Sequence, residues 1–173
     1  MEEQQAKTGK FALNYGLLSG LVAVVFGVML YTQKMHYETS KPIIVISIVI
    51  LEAIVFFAIN AYKKANDGYL TITEALKVGV GVALVSAIIS LIYQFVLTNV
   101  IEPDFMDKVM EIAKPKAMAQ NPNMTEEQWE QGVEMQKSFA WIQYPVLLIM
   151  NAVLGLILGL ICGLILKKSQ PEY

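Results

Sequence analysis

The sequence predicts an all-α protein, a polytopic four-helix transmembrane bundle with a helical extracytoplasmic excursion between helices 3 and 4. Three observations predict it. The 173 residues are 55% hydrophobic and 16% charged, against about 25% charged in a soluble domain. The apolar residues fall in four long blocks, at residues 11–31, 42–62, 78–97 and 142–166, rather than recurring at amphipathic spacing. Each block reaches the ~20 residues that cross a ~30 Å hydrocarbon core. Between the last two blocks, residues 98–140 are polar. One bundle uses up the length, so residues 1–173 read as a single membrane domain.

The first block, 11–31, is longer than the roughly 7–15 residues of a signal-peptide core. No small-x-small cleavage pattern follows it, so it reads as a retained first helix. Gly16 and Gly20 form a GxxxG pair with Ser19 alongside, which lets another helix approach closely. A tight loop, Lys34 to Lys41, follows, and its single histidine, His36, reads as a surface residue. Ser40 and Pro42 suit a helix start. The second block ends at Tyr62-Lys63-Lys64, an interfacial aromatic followed by cations.

Asn66-Asp67-Gly68 is a turn signal. Thr71 or Thr73 can cap a short interfacial helix with Glu74 in its first turn, leading into the third span. There Gly79, Ala83 and Ala87 make a small-residue stripe, and Ser86 and Ser90 a polar one. In 98–140, Phe105, Val109 and Ile112 recur at helical spacing, and Pro115 should interrupt that helix. Thr125 with Gln128 three residues on forms a capping box that opens a second helix. In the last span Pro145 should kink or begin the helix, and Gly155, Gly159 and Gly163 spell GxxxGxxxG, a close-packing signature.

Glu52 is the most unusual residue. It sits near the middle of the second span, where a charged side chain costs about 2.5–3.5 kcal/mol on insertion scales. Ser86, Ser90 and Asn151 lie at matching depth on the third and fourth spans. They are its expected hydrogen-bond partners. The four residues Glu52, Ser86, Ser90 and Asn151 form the candidate intramembrane polar site.

Lysine placement predicts the orientation. With the N-terminus inside, the inner segments hold Lys7, Lys10, Lys63, Lys64, Lys77, Lys167 and Lys168, while the short outer loop holds Lys34 and Lys41. Both termini are therefore expected in the cytoplasm.

Several function classes are disfavoured. A net charge of −2 gives no case for nucleic acid. All 13 basic residues are lysine, so bidentate arginine recognition of phosphate is missing. His36 and Cys162 have no companions for a metal site, and no P-loop, GxSxG or HExxH motif occurs. The expectation is a non-enzymatic integral membrane protein, without cofactor or metal. It would act through helix–helix association with itself or another membrane protein in the bilayer. The alternative is a proton- or cation-translocating protein centred on Glu52. Against it, the chain lacks the internal repeats and broken helices of transporters.

The chain also resembles a known family in four stretches. These are its Gly-rich first span, the run Asp67-Gly68-Tyr69-Leu-Thr-Ile-Thr-Glu-Ala-Leu-Lys-Val-Gly79, Ile101-Glu-Pro-Asp104, and the Gly-rich last span ending in Lys167-Lys168. It looks like an uncharacterised family of four-pass inner-membrane proteins, labelled a domain of unknown function and typical of Bacteroidetes-type bacteria. The resemblance covers essentially the whole chain. It implies a bacterial inner (plasma) membrane location and brings no activity or catalytic residues.

Overall fold

The computed structural model describes residues 6–37 and 40–168. Among these described residues, six α-helices follow one another: α1 (Thr8–Thr32), α2 (Lys41–Ala65), α3 (Ile72–Val96), α4 (Phe105–Gln120), α5 (Glu126–Ser138) and α6 (Gln143–Leu166). A π-helical turn, Leu97–Ile101, extends α3, and a 3-10 turn, Ala140–Ile142, precedes α6. Four helices are long and apolar enough to cross a membrane: α1, α2, α3 with its π turn, and α6 with its 3-10 turn.

α3 is the centre of the bundle. On one side it runs parallel to α1. A Cβ built on Gly16 would fall 2.5 Å from Val85 Cβ, Gly20 lies against Ile89, and Gly27 lies against the Tyr93 ring. On the other side it runs antiparallel to α6. A Cβ on Gly79 would lie 2.7 Å from the Gly155 carbonyl oxygen, and one on Gly155 would lie 2.7 Å from Ala83 Cβ. Ala75 fills the remaining gap, facing Gly159 and Gly163. Lipid tails are as apolar as leucine, so helices in a bilayer are held by close packing, and small residues permit it. The glycine stripes of α1 and α6 are thus used inside the chain, both against α3.

α2 closes the bundle unevenly. Its buried residues, Leu51, Val55, Ala58, Ile59 and Tyr62, all lie from Leu51 onward. They pack on Val78, Val82 and Ala83 of α3 and on Leu158 and Cys162 of α6. The part before Leu51, from Lys41 to Ile50, has no buried residue.

The terminal end of the bundle is also tied by polar contacts. Tyr62 donates from its hydroxyl to Glu74 Oε1 at 2.7 Å and meets the Phe11 ring edge-on at 5.6 Å. Lys63 Nζ donates to the Leu166 carbonyl at 2.8 Å, a cation on the exposed end of α6. Leu70 and Lys168 exchange backbone hydrogen bonds at 2.9 and 3.1 Å. The opposite end carries the hairpin of α4 and α5, joined by Lys114–Glu126 and Lys137–Asp107 ion pairs.

Two local expectations are corrected. The helix that carries the third apolar block starts at Ile72, so the expected interfacial helix is its first turns rather than a separate element. The cap is Thr71, whose hydroxyl accepts from the Glu74 N–H while the Glu74 carboxylate accepts from the Thr71 N–H, a complete capping box. α4 runs through Pro115 to Gln120. Pro115 and Glu111 are both exposed, so water can satisfy the carbonyl that the proline leaves free. The Thr125–Gln128 capping box forms as expected, and Pro145 falls in the first turn of α6, where it begins the helix.

Candidate functional site

Two polar regions stand out. The first lies within the membrane span, toward the hairpin end. Ser19 of α1 donates to Ser86 of α3 at 3.0 Å, and both are buried. Asn151 donates from Nδ2 to the Leu147 carbonyl one turn back, and Ser47 does the same to Ile43. Around them the four spans separate. A cavity of about 240 Å³ is lined by Ser19, Ser47, Ser86, Ser90 and Asn151 together with apolar residues of α1 and α2. A second, of about 270 Å³, opens between α3 and α6. It shares Ser86, Ser90 and Asn151 and adds Gln94, Gln143 and Tyr144.

Three of the four residues of the expected polar site therefore come together, and the fourth does not join them. Glu52 is half-buried and is absent from the lining of both cavities. Among the described residues it makes no hydrogen bond to Ser86, Ser90 or Asn151; Ser86 is engaged by Ser19 and the Asn151 amide by its own helix. The reason is rotation. Leu51 and Val55 point into the bundle, and each residue turns a helix by about 100°, so Glu52 is carried to the flank of the buried stripe. Ser19 lies at the depth expected for this level, whereas Ser47, Gln94 and Gln143 were not foreseen in the site, because depth can be counted along a helix but its facing cannot.

The second region is a charged node at the hairpin end, and here the expectation of a surface His36 is overturned. The Glu102 carboxylate accepts from His36 Nε2 at 2.9 Å, from Lys108 Nζ at 2.7 Å and from the Tyr37 hydroxyl. Lys108 also pairs with Asp104 at 3.0 Å. The His36 side chain is 7% exposed, packed among Tyr31, Tyr37 and Phe105, and its Nδ1 has no partner among the described residues. Pro103 explains the position of the acid. A residue before proline is pushed out of the helical region, and Glu102 has φ −139° and ψ 74°. The helix ends there and the side chain turns into the aromatic cluster. Lys108, then Tyr37 and His36, hold its carboxyl down to about 2. The same contact raises the Tyr37 phenol and the Lys108 ammonium above their ordinary values. The node fastens the α1–α2 loop, the end of α3 and the start of α4 together. An acid and a proline directly after a spanning block were the available sequence signal.

Residues 14–168 match a protein-family model described as a protein of unknown function, DUF4199. The chain belongs to that family. No curated protein and no solved structure matches it. As a DUF4199 member whose described residues include four helices long and apolar enough to cross a membrane, it is a membrane protein.

Proposed function

We propose that this DUF4199 protein is a non-enzymatic membrane protein of the bacterial inner membrane that works by lateral helix–helix association, with a second copy or another membrane protein, through α2. The observation that carries this reading is Glu52. A carboxyl group near mid-membrane must be neutral, hydrated or hydrogen-bonded, and among the described residues Glu52 has no hydrogen-bond partner. The residues that could have served are turned elsewhere, so a partner helix is the natural source of its hydrogen bond. The loosely packed first half of α2, with Ile44, Val45, Ile46 and Val49 exposed, extends the same docking face. The glycine stripes do not compete for this role, since both are occupied by α3.

The translocation alternative is less well supported. Below the cavities, the apolar residues Val55, Ala58, Ile59, Val78 and Val82 are fully buried, which favours a dry terminal half over a polar path. Glu52 also stands outside the cavity walls.

The test is disulfide or photochemical crosslinking in native membranes, in a Cys162→Ala background. Val45→Cys, 58% exposed on α2 and two turns from Glu52 on the same face, should crosslink to a partner. Ile157→Cys, also exposed on α6, should not. Crosslinking at neither position, or only at Ile157, would rule out α2 as the docking face.

The lysine bias supports termini in the cytoplasm. In intact cells, Asn123→Cys, in the exposed α4–α5 turn, should react with an impermeant thiol reagent. Ala65→Cys, exposed at the end of α2, should react only after lysis. The opposite pattern would invert the topology.

A further inference from the structure

The seam between α3 and α6 has its own chemistry, separate from the α2 face. Toward the terminal end the two helices touch backbone to backbone through Gly79, Gly155 and Gly159. Toward the hairpin end they part, and the gap of about 270 Å³ is walled by uncharged polar side chains. Ser90, Gln94 and Tyr144 make no side-chain hydrogen bond among the described residues, and Asn151 has only its amide N–H engaged. In hydrocarbon such groups need partners, because each polar group left unsatisfied costs several kcal/mol. The lining contains no Lys, Asp, Glu or His. A charged head group would find no counter-ion there and would be disfavoured.

Beside this polar gap runs an apolar groove of about 440 Å³, lined by Ile88, Leu91, Ile92, Phe95, Tyr144 and Leu148. Leu91 and Tyr144 belong to both, so the two spaces meet. A polar, uncharged recess opening sideways into a hydrocarbon groove is complementary to one kind of molecule. It needs a head with hydroxyl or amide groups and no charge, joined to an acyl or isoprenoid chain.

We propose that the α3–α6 seam binds an uncharged amphiphile of the diacylglycerol type, taken from the leaflet on the hairpin side, with its head between Ser90, Gln94 and Asn151 and its chain along Ile88, Ile92 and Leu148. Entry is lateral, from the bilayer. The occupant satisfies the polar walls that packing leaves unpaired.

The test uses the full-length protein in phosphatidylcholine nanodiscs with two photoactivatable probes of identical chains, diacylglycerol and phosphatidic acid. Diacylglycerol should label the α3 and α6 segments around Ile92 and Leu148 at least tenfold more than phosphatidic acid. Gln94→Leu should remove that preference. Should Gln94→Leu fail to fold, Ile92→Trp fills the groove from a position 60% exposed and should lower diacylglycerol labelling by a similar factor. Equal labelling by both probes would mean ordinary surrounding lipid and would overturn the proposal. So would labelling unchanged in both variants. A Ser90→Cys thiol whose reaction with a small water-soluble reagent is unaffected by saturating diacylglycerol would show a recess holding water only, with the same consequence. None of these outcomes bears on crosslinking through α2.

Discussion

Gly159→Leu is expected to separate α3 from α6 and to cost about 3 kcal/mol or more, the upper end for overpacking. A Cβ at this position would lie 3.0 Å from the Ala75 carbonyl oxygen and 3.2 Å from Leu76 Cα. Both neighbours are backbone atoms of a helix and cannot rotate away as a side chain can. Leucine adds three further carbons, so the helices must part along the seam. The neighbouring contacts, Gly155 on Ala83 and Gly163 on Ala75, would loosen with it. Thermal or denaturant unfolding in detergent measures the loss. Gly132→Ala is the control: nothing lies within 4 Å of its would-be Cβ, and an alanine in the middle of α5 should stabilise by up to about 1 kcal/mol. An unchanged unfolding midpoint for Gly159→Leu would mean that α6 does not pack on α3 as described.

Glu102→Gln should release the α4–α5 hairpin while leaving the spans folded. The amide keeps the shape but not the charge, and its NH₂ group would confront Lys108, His36 and Tyr37, all of which donate to the carboxylate. Amide hydrogen exchange in the first turns of α4 should accelerate roughly tenfold or more, the scale of a lost charge-assisted hydrogen bond. Exchange within α3 and α6 should hold. The pH dependence has a definite sign. The folded carboxyl is depressed to about 2 from an ordinary value of about 4.3. Its contribution is therefore complete above the ordinary value, declines as pH falls below it, and is lost as pH passes through about 2. Trp129 fluorescence on α5 should follow that loss on acidification, and Glu102→Gln should abolish the response. A hairpin equally protected in the variant would show that the node does not fasten it.

How much of this was legible in the sequence divides along physical lines. Span existence was, because hydropathy over 20 residues is a property of composition and needs no partner. The capping boxes at Thr71 and Thr125 were partly legible, since both partners lie within four residues. Gly155, Gly159 and Gly163 announced close packing, yet any small-residue helix could have received them. That α3 takes both glycine helices on opposite faces follows only from three-dimensional placement. Glu52 and Ser86 were matched in depth, and a rotation of one residue around α2 separates them. The Glu102 node was not visible, because His36 and Lys108 are separated by the whole of α2 and α3, and each looks like an ordinary polar loop residue when read alone.

Whether Glu52 serves a partner helix is read from the Val45→Cys crosslink repeated with Glu52→Gln and Glu52→Leu. Glutamine keeps the hydrogen-bonding shape without the ability to ionise, so the crosslinked species should persist at the parental yield. Leucine removes the hydrogen bond, so the yield should fall severalfold while the monomer stays folded. A crosslink retained with leucine, or lost with both substitutions while each monomer remains folded, would contradict the account. The first result would make Glu52 irrelevant to association. The second would require an ionised carboxylate that helix pairing does not need.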